Sequence, residues 1–492
     1  MRAMLCCLLL VLVLPVSAWS EPTRSAPARL TPEQALSDLR ILERGLTDLH
    51  PGLYHYQTPA ALAAQLSDAR AAVVDGAEPA EMYLLASRIA ASVRCGHTWT
   101  NPLNQSPAML STLAALPALP VHLRVAQDRF LIVASADPGL HGGDEILRID
   151  GRKASELVTE FLPYLRADGS NDGKRRSQLE SNQNGGAMDR LLPLLHPPVD
   201  GAYLLDIRGR DGSTRAIRAR AMTVALRDAA LAAAGLAPID EAWRLRINGD
   251  RAVLTLPTFS FWRSDFDWKT FLADTFATLD KQRVGQLVID LRQNEGGDQQ
   301  IGRALLGYLI NRPYTAPAGR TESAYERVPY DLVRFLDTWD FGFFDRTDKV
   351  MRGSTNTSGR NWLLAEPSGT AVVAPLTPHF NGRVAVLVGP RMSSAGYLIA
   401  RDLKATAAAT LIGQPTGGNR RGLNGGELAW MTLPHSGVAV DIPLLASVHD
   451  DQPDAGIAPD IVVEPTLEAI ASGKDPELEA AVAWLLHALH GH

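Results

Sequence analysis

After about residue 245 the sequence alternates between two hydrophobic periodicities, and no other feature narrows its fold as far. RAVLTLPTF, GQLVIDLR, RVAVLVGP and TLIGQPT are short apolar runs, and between them lie DFDWKTFLADTFATLDK, QQIGRALLGYLI and SAGYLIARDLKATA, which carry helical spacing. Unbroken apolar runs suit strands covered on both faces, and helices in between carry the chain back for the next parallel strand. This predicts an α/β domain over 245–470 with a largely parallel sheet. Residues 313–380, rich in aromatics and Pro/Gly breaks, read as an insertion in it. KDPELEAAVAWLLHAL predicts an amphipathic closing helix within 471–492.

The preceding chain has two other textures. In LTPEQALSDLRILERGLTDL, Leu36, Leu39, Leu42 and Leu46 recur at helical steps, with Thr31 as N-cap before Pro32. Two more helices are expected at roughly 59–75 and 79–94, running into the loop CGHTWTNP, so 19–115 is expected to be helical. From 116 to 225 the runs VHLRVA, RFLIVAS, AYLLDIRG and TRAIRARAM, broken by Gly and Asp turns, predict short strands.

Residues 1–18 read as a cleavable secretory signal: Arg2, an apolar run from Met4 to Leu14, Pro15, then Val16 and Ala18. The run is too short to span a bilayer, and no later stretch offers about 20 apolar residues, so no membrane span is expected. The expected location is outside the cytoplasm, periplasmic or extracellular. Cys6 and Cys7 leave with the signal, Cys95 has no partner, and no disulfide framework is expected. A net charge of -6 argues against nucleic acid, whose partners carry a basic stripe.

Two loops could carry chemistry. In RVAVLVGPRMSSAGYLIARDLK a buried strand breaks at Gly389-Pro390 and a helix begins at Ser393 or Ser394. A serine there stands where free backbone N–H groups and the helix dipole favour developing negative charge; equally, it could simply cap the helix. The pattern G-x-S-x-G is absent, so an α/β-hydrolase elbow is not supported. In VGQLVIDLRQNEGGDQQIGRALL, Gly296 and Gly297 follow a strand and could turn N–H groups toward a ligand. No Lys-Ser/Thr follows, so this is no P-loop.

These two segments, followed by LIGQPTGG and GIAPDIVVEPT, resemble the C-terminal-processing (tail-specific) serine peptidases in order and spacing. GLHGGDEILRIDGRKASELV is similar to the core of a PDZ domain, which that family also carries before its catalytic domain. The resemblance implies a ClpP/crotonase-like catalytic domain with a PDZ-like insert and an N-terminal helical domain. It places the nucleophile on Ser394 and the oxyanion donors on the N–H groups of Ala395 and of Gly296 or Gly297. No cofactor or metal is implied, and the partner is a protein or peptide substrate.

One departure bears on mechanism. Where tail-specific members carry the lysine of a Ser/Lys dyad, this chain has Asn419. An amide cannot take the serine proton, and neither can Arg420 or Arg421. Lys404, about 15 Å along the nucleophile's own helix, is out of reach. CGHT at 95–98 resembles the segment that carries the base histidine in tricorn-like relatives, which puts the base on His97, a residue type that titrates near working pH. An acid should hold the ring's other nitrogen. Of Asp451, Asp454 and Glu427, Asp454 is preferred because tricorn-like relatives place an acid in that run, while Asp450 and Asp460 could cap turns.

Asn419 and Arg420 are expected to line the substrate cleft, with Arg420 or Arg421 available for a C-terminal carboxylate. Cys95 reads as a small buried residue, being too close to His97 in sequence for a nucleophile-base pair, and HALHGH at the end as a solvated tail. The rival reading is a non-catalytic binding protein of the same fold, since retinoid-carrying relatives exist and Tyr397 replaces a usual acid. A PDZ-centred adaptor is a third. Substrate preference and oligomeric state are not written in the sequence.

Overall fold

The computed structural model describes residues 29–181, 185–236, 242–317, 319–353, 362–364, 372–449 and 451–487. The expected signal at 1–18 and the final histidines 490 and 492 lie outside the described residues.

The apolar runs after 245 form one six-stranded sheet in the order Ile461–Val462, Thr410–Gly413, Arg383–Val388, Gln286–Asp290, Arg251–Thr255, Arg244–Asn248. All neighbours are parallel except the final hairpin. The pleat explains the unbroken apolar sequence. Val384, Val386 and Val388 face one layer with Ile399, Leu403, Ile301 and Leu305, while Ala385 and Leu387 face the opposite layer with Ala481 and Leu485. The second layer is the closing helix Pro476–His487, pinned by Arg292, which binds Asp290 at the strand end, Asp475 just before the helix and Glu477 in its first turn.

The strands of the middle region form a separate antiparallel sheet: Val121–Ala126, Arg129–Ser135, Glu145–Ile149, Ala202–Arg208 and Thr214–Arg220, with Arg152–Lys153 paired to the third. It has its own core around Phe130, Phe161 and Tyr203. Between its third and fourth long strands the chain leaves the sheet through 162–195, and this excursion runs toward the α/β domain.

The amino-terminal helices Pro32–Leu49, Pro59–Ala72 and Pro79–Ser92 form as the leucine spacing predicts. The first is capped by Thr31 Oγ1, and Leu39, Leu42 and Leu46 are fully buried. Their core is not their own. It is continuous with Leu332, Leu336, Met431, Val440 and Ile442, where Leu336–Asp337 pairs with the hairpin Leu428–Thr432 and Ala439–Pro443. Gly45 allows this approach, since a Cβ there would meet Met431 Cε at 2.4 Å. Buried Asp38 accepts hydrogen bonds from the N–H groups of His435 and Ser436 and from the Ser436 hydroxyl. The helices are thereby fixed to the part of the chain that follows the nucleophile helix. Among the described residues no helix is long and apolar enough to cross a membrane.

Candidate active site

Ser394 opens the helix Ser394–Thr406 directly after the strand Arg383–Val388. Its φ of 50° lies in the left-handed region, uncommon for a residue with a Cβ and a form of strain that collects at functional sites. The turn raises the side chain at the carboxyl edge of the sheet. Behind it the first helical turn leaves the Ala395 N–H without a backbone acceptor among the described residues.

The glycine loop packs against this turn. A Cβ on Gly296 would lie 2.7 Å from Ser394 Cβ, and the φ values of Gly296 and Gly297 are 105° and 133°. The two expected oxyanion donors separate here. The Gly296 N–H donates to Asn294 Oδ1 at 2.9 Å and is spent. Gly297 pairs with Phe259 only through its neighbours: the Gly296 carbonyl accepts from Phe259 N–H, and Asp298 N–H donates to the Phe259 carbonyl. The Gly297 N–H therefore has no acceptor among the described residues, and of the two glycines it is the one able to join Ala395.

His97 stands on the loop after the helix Pro79–Ser92, and its Nε2 lies 3.1 Å from Ser394 Oγ, across 297 positions of sequence. Burial, then the nearby Arg166 and Lys174 charges, lowers its pKa to about 4, opposed by the Asn424 backbone carbonyl. The ring is thus neutral near pH 7, the form a base needs. The loop is held from behind. Buried His50 contacts Thr98 Oγ1 through Nε2 at 2.8 Å and accepts the Gly52 N–H at Nδ1. Asp441 accepts from the side-chain amides of Asn101 and Asn104. Gly425 lies flat against the ring, where a Cβ would come within 3.1 Å of Cε1.

Asp454, expected as the acid behind His97, does not hydrogen-bond to it. The Asp454 carboxylate takes the Asn419 amide at 2.6 Å and the Ser170 N–H at 3.0 Å, whereas His97 Nδ1 is buried with no hydrogen-bond partner. The reason lies in the lysine-to-asparagine departure. Asn419 is fully buried and its amide also donates to the Asp168 carbonyl, so Asn419 and Asp454 lock a turn of the middle region onto the catalytic domain. Asn419 therefore lines no open cleft. Arg420 remains accessible, with one donor on Gln452 Oε1. Glu427 pairs with Arg346, and Asp460 with Lys404.

Sequence reasoning missed a cluster supplied by the excursion 162–195. Glu295, just before the glycines, faces Lys174 at 2.9 Å and Arg166 at 3.0 Å. Although burial opposes it, the Lys174, Arg166 and Arg391 charges bring its pKa down to about 2. Lys174, 1% exposed, also donates to the Arg391 carbonyl at 2.9 Å. Burial lowers its pKa to about 8, but its protons are engaged away from Ser394. Arg166 also stacks on Trp99, two residues past His97. In sequence, LRADGSNDGKRRS has the look of a solvated loop; only its density of charge hinted otherwise.

Cys95, His97 and Asp168 each bring one potential donor atom to within 4.8 Å of the others. Cys95 is buried, and burial first, then the Asp168 charge, pushes its thiol up to about 11. A thiol so held is neither a ready nucleophile nor a ready metal ligand.

The sequence profile of peptidase family S41 matches residues 250–463. No curated protein matches the chain in sequence. Among solved structures, the chain is similar to mature CPAF complexed with lactacystin, with a TM-score of 0.62 at 17% identity, covering 93% of this chain and 98% of that one. Mature CPAF alone gives a TM-score of 0.61, again at 17% identity, over 94% and 99% of the two chains. At such identity the likeness is one of fold. Residues 250–463 thus match peptidase family S41, a family of serine peptidases, which are hydrolases.

Proposed function

We propose that the chain is an exported, periplasmic or extracellular, serine endopeptidase acting through an acyl-enzyme on Ser394 with His97 as base. The observation that carries this is the 3.1 Å contact between His97 Nε2 and Ser394 Oγ, with the ring held neutral. As Oγ attacks a peptide carbonyl, Nε2 takes its proton, and the Ala395 and Gly297 N–H groups receive the charge on the carbonyl oxygen. The imidazolium then gives the proton to the leaving amine as the C–N bond breaks. Water, deprotonated by the same nitrogen, releases the acyl group. Export rests on the sequence of residues 1–18. The antiparallel sheet at 116–225, with its Asp150-Gly151 turn leading to the helix Ala154–Phe161, is read as a PDZ-like module.

The test is covalent labelling with a fluorophosphonate, together with hydrolysis of an unfolded protein such as casein. Wild type is expected to label and cleave, Ser394→Ala to do neither, and His97→Ala to lose at least about 100-fold in rate. Full cleavage by Ser394→Ala would end the reading.

A further inference from the structure

His97 has a base's position without a base's usual support. An imidazole that takes a proton at Nε2 develops a positive charge, and its orientation depends on what Nδ1–H meets. Here Nδ1 is buried and makes no well-formed hydrogen bond, only the Asn424 backbone acting on the ring from that side, and the residue expected to supply a partner, Asp454, is held by Asn419 and Ser170.

We propose that Asp168 is the acid partner of His97, a positioning residue that accepts the Nδ1–H and carries the counter-charge when Nε2 takes the serine proton. This rests on the Ser394/His97 reading. An Asp168 carboxylate oxygen lies within 4.8 Å of a ring nitrogen of His97; with Nε2 turned to Ser394, Nδ1 is the nitrogen left to it. Asp168 is 3% exposed, and its Oδ2 is, like His97 Nδ1, a buried polar atom with no partner. A buried polar atom without a partner is costly, and the two are complementary, one a donor and the other an acceptor. A small rotation of the ring, of the kind that tightens catalytic contacts when substrate binds, joins them.

The other carboxylate oxygen is already fixed. Asp168 Oδ1 accepts the Gly96 N–H at 2.7 Å, so the acid is tied to the backbone beside the histidine it serves. Gly96 must lack a side chain for this, since a Cβ would meet Oδ2 at 2.6 Å. The Asp168 carbonyl accepts from Asn419, so one residue connects the His97 loop to the turn where the family lysine is absent.

The charged and titratable groups around Asp168 are Arg166, Lys174 and Arg175 from its own segment, Cys95 from the His97 loop, Tyr56 after the first helix and Tyr397 from the nucleophile helix. Those acting on His97 are Arg166 and Lys174. The cations favour an ionised Asp168 and disfavour an imidazolium, so the ring needs a carboxylate beside it to accept a proton readily. During turnover the proton moves from Ser394 Oγ to Nε2 and on to the leaving amine; Nδ1 keeps its own proton and Asp168 stays ionised.

The experiment measures kcat and KM against pH for full-length wild type and Asp168→Asn, which retains an acceptor for Gly96 and removes only the charge. Asp168→Asn is expected to lose about 100-fold in kcat with KM little changed, its acid limb moved to lower pH, and Asp168→Glu is expected to recover part of the loss. An unmoved acid limb, or a kcat kept within a factor of about two, would overturn the assignment. Should the asparagine variant fail to fold, the structure of fluorophosphonate-treated wild type decides: Nδ1 within about 3 Å of Asp168 Oδ2 supports the proposal, and Nδ1 on the Asn424 carbonyl overturns it. A wild type that neither labels nor hydrolyses would instead defeat the Ser394/His97 reading, which keeps the two failures apart.

Discussion

Lys174 Nζ lies 2.9 Å from Glu295 Oε2, a pairing between the excursion from the antiparallel sheet and the loop that carries Gly296 and Gly297. Arg166 completes the clamp on the same oxygen. The module before the α/β domain thus holds part of the candidate site in place.

Lys174→Met should remove that clamp. It takes one of the two close cations off Glu295, which keeps Arg166, and strips the Arg391 carbonyl of its buried donor, a loss of about 1–3 kcal/mol. Thermal denaturation should report that loss. Initial rates should fall by about tenfold in kcat, as the Gly297 N–H is less well held.

The pH profile should be shaped from the acid side. Burial raises the Asp168 pKa to about 6, against the Gly96 N–H and the Arg166, Lys174 and Arg175 charges, while burial and the cations lower that of His97 to about 4. Both groups act in their deprotonated forms, so kcat/KM should be level above about pH 7, fall through half its plateau near pH 6 as Asp168 takes a proton, and vanish as the ring does so near pH 4. Initial rates in constant-ionic-strength buffers test this; a limb near the unperturbed histidine value, unaffected by Asp168→Asn, would contradict it.

Gly425→Ala should separate activity from stability. The added methyl would stand 3.1 Å from His97 Cε1 and 3.3 Å from both ring nitrogens, and Gly425 has no positive φ to strain. The ring must yield. We expect kcat to fall by at least about tenfold with a melting temperature close to wild type.

His50→Ala should fail differently. It strips partners from the buried Thr98 hydroxyl and from the Gly52 N–H, costing about 2–3 kcal/mol, and frees the loop that carries His97. Reduced melting temperature and reduced kcat should appear together, with fluorophosphonate labelling slowed.

The strands and helices were legible because both kinds of periodicity are written in local sequence: Val384 to Val388 shows a strand covered twice, and Leu39, Leu42 and Leu46 a helix covered once. Ser394 and His97 were legible through motif order and through the missing lysine. Asp454 shows where that reasoning ran out. A carboxylate's partner is decided by a three-dimensional contest, and Asn419 and the Ser170 N–H hold it. Asp168, Lys174 and Glu295 were hidden for the same reason, since nothing local distinguishes a charge that folds inward from one that stays in water. The split between Gly296 and Gly297 depends on which N–H Asn294 takes, a matter of backbone geometry alone.

The first helix shares its core with Met431, Val440 and Ile442, beyond the nucleophile helix in sequence. On the Ser394/His97 reading, the base is therefore synthesised early but gains its seat only when the last quarter of the chain has closed over it. A growing or truncated polypeptide would lack that seat, so on this reading hydrolysis begins only once the amino-terminal helices and the hairpin at 428–443 have packed together.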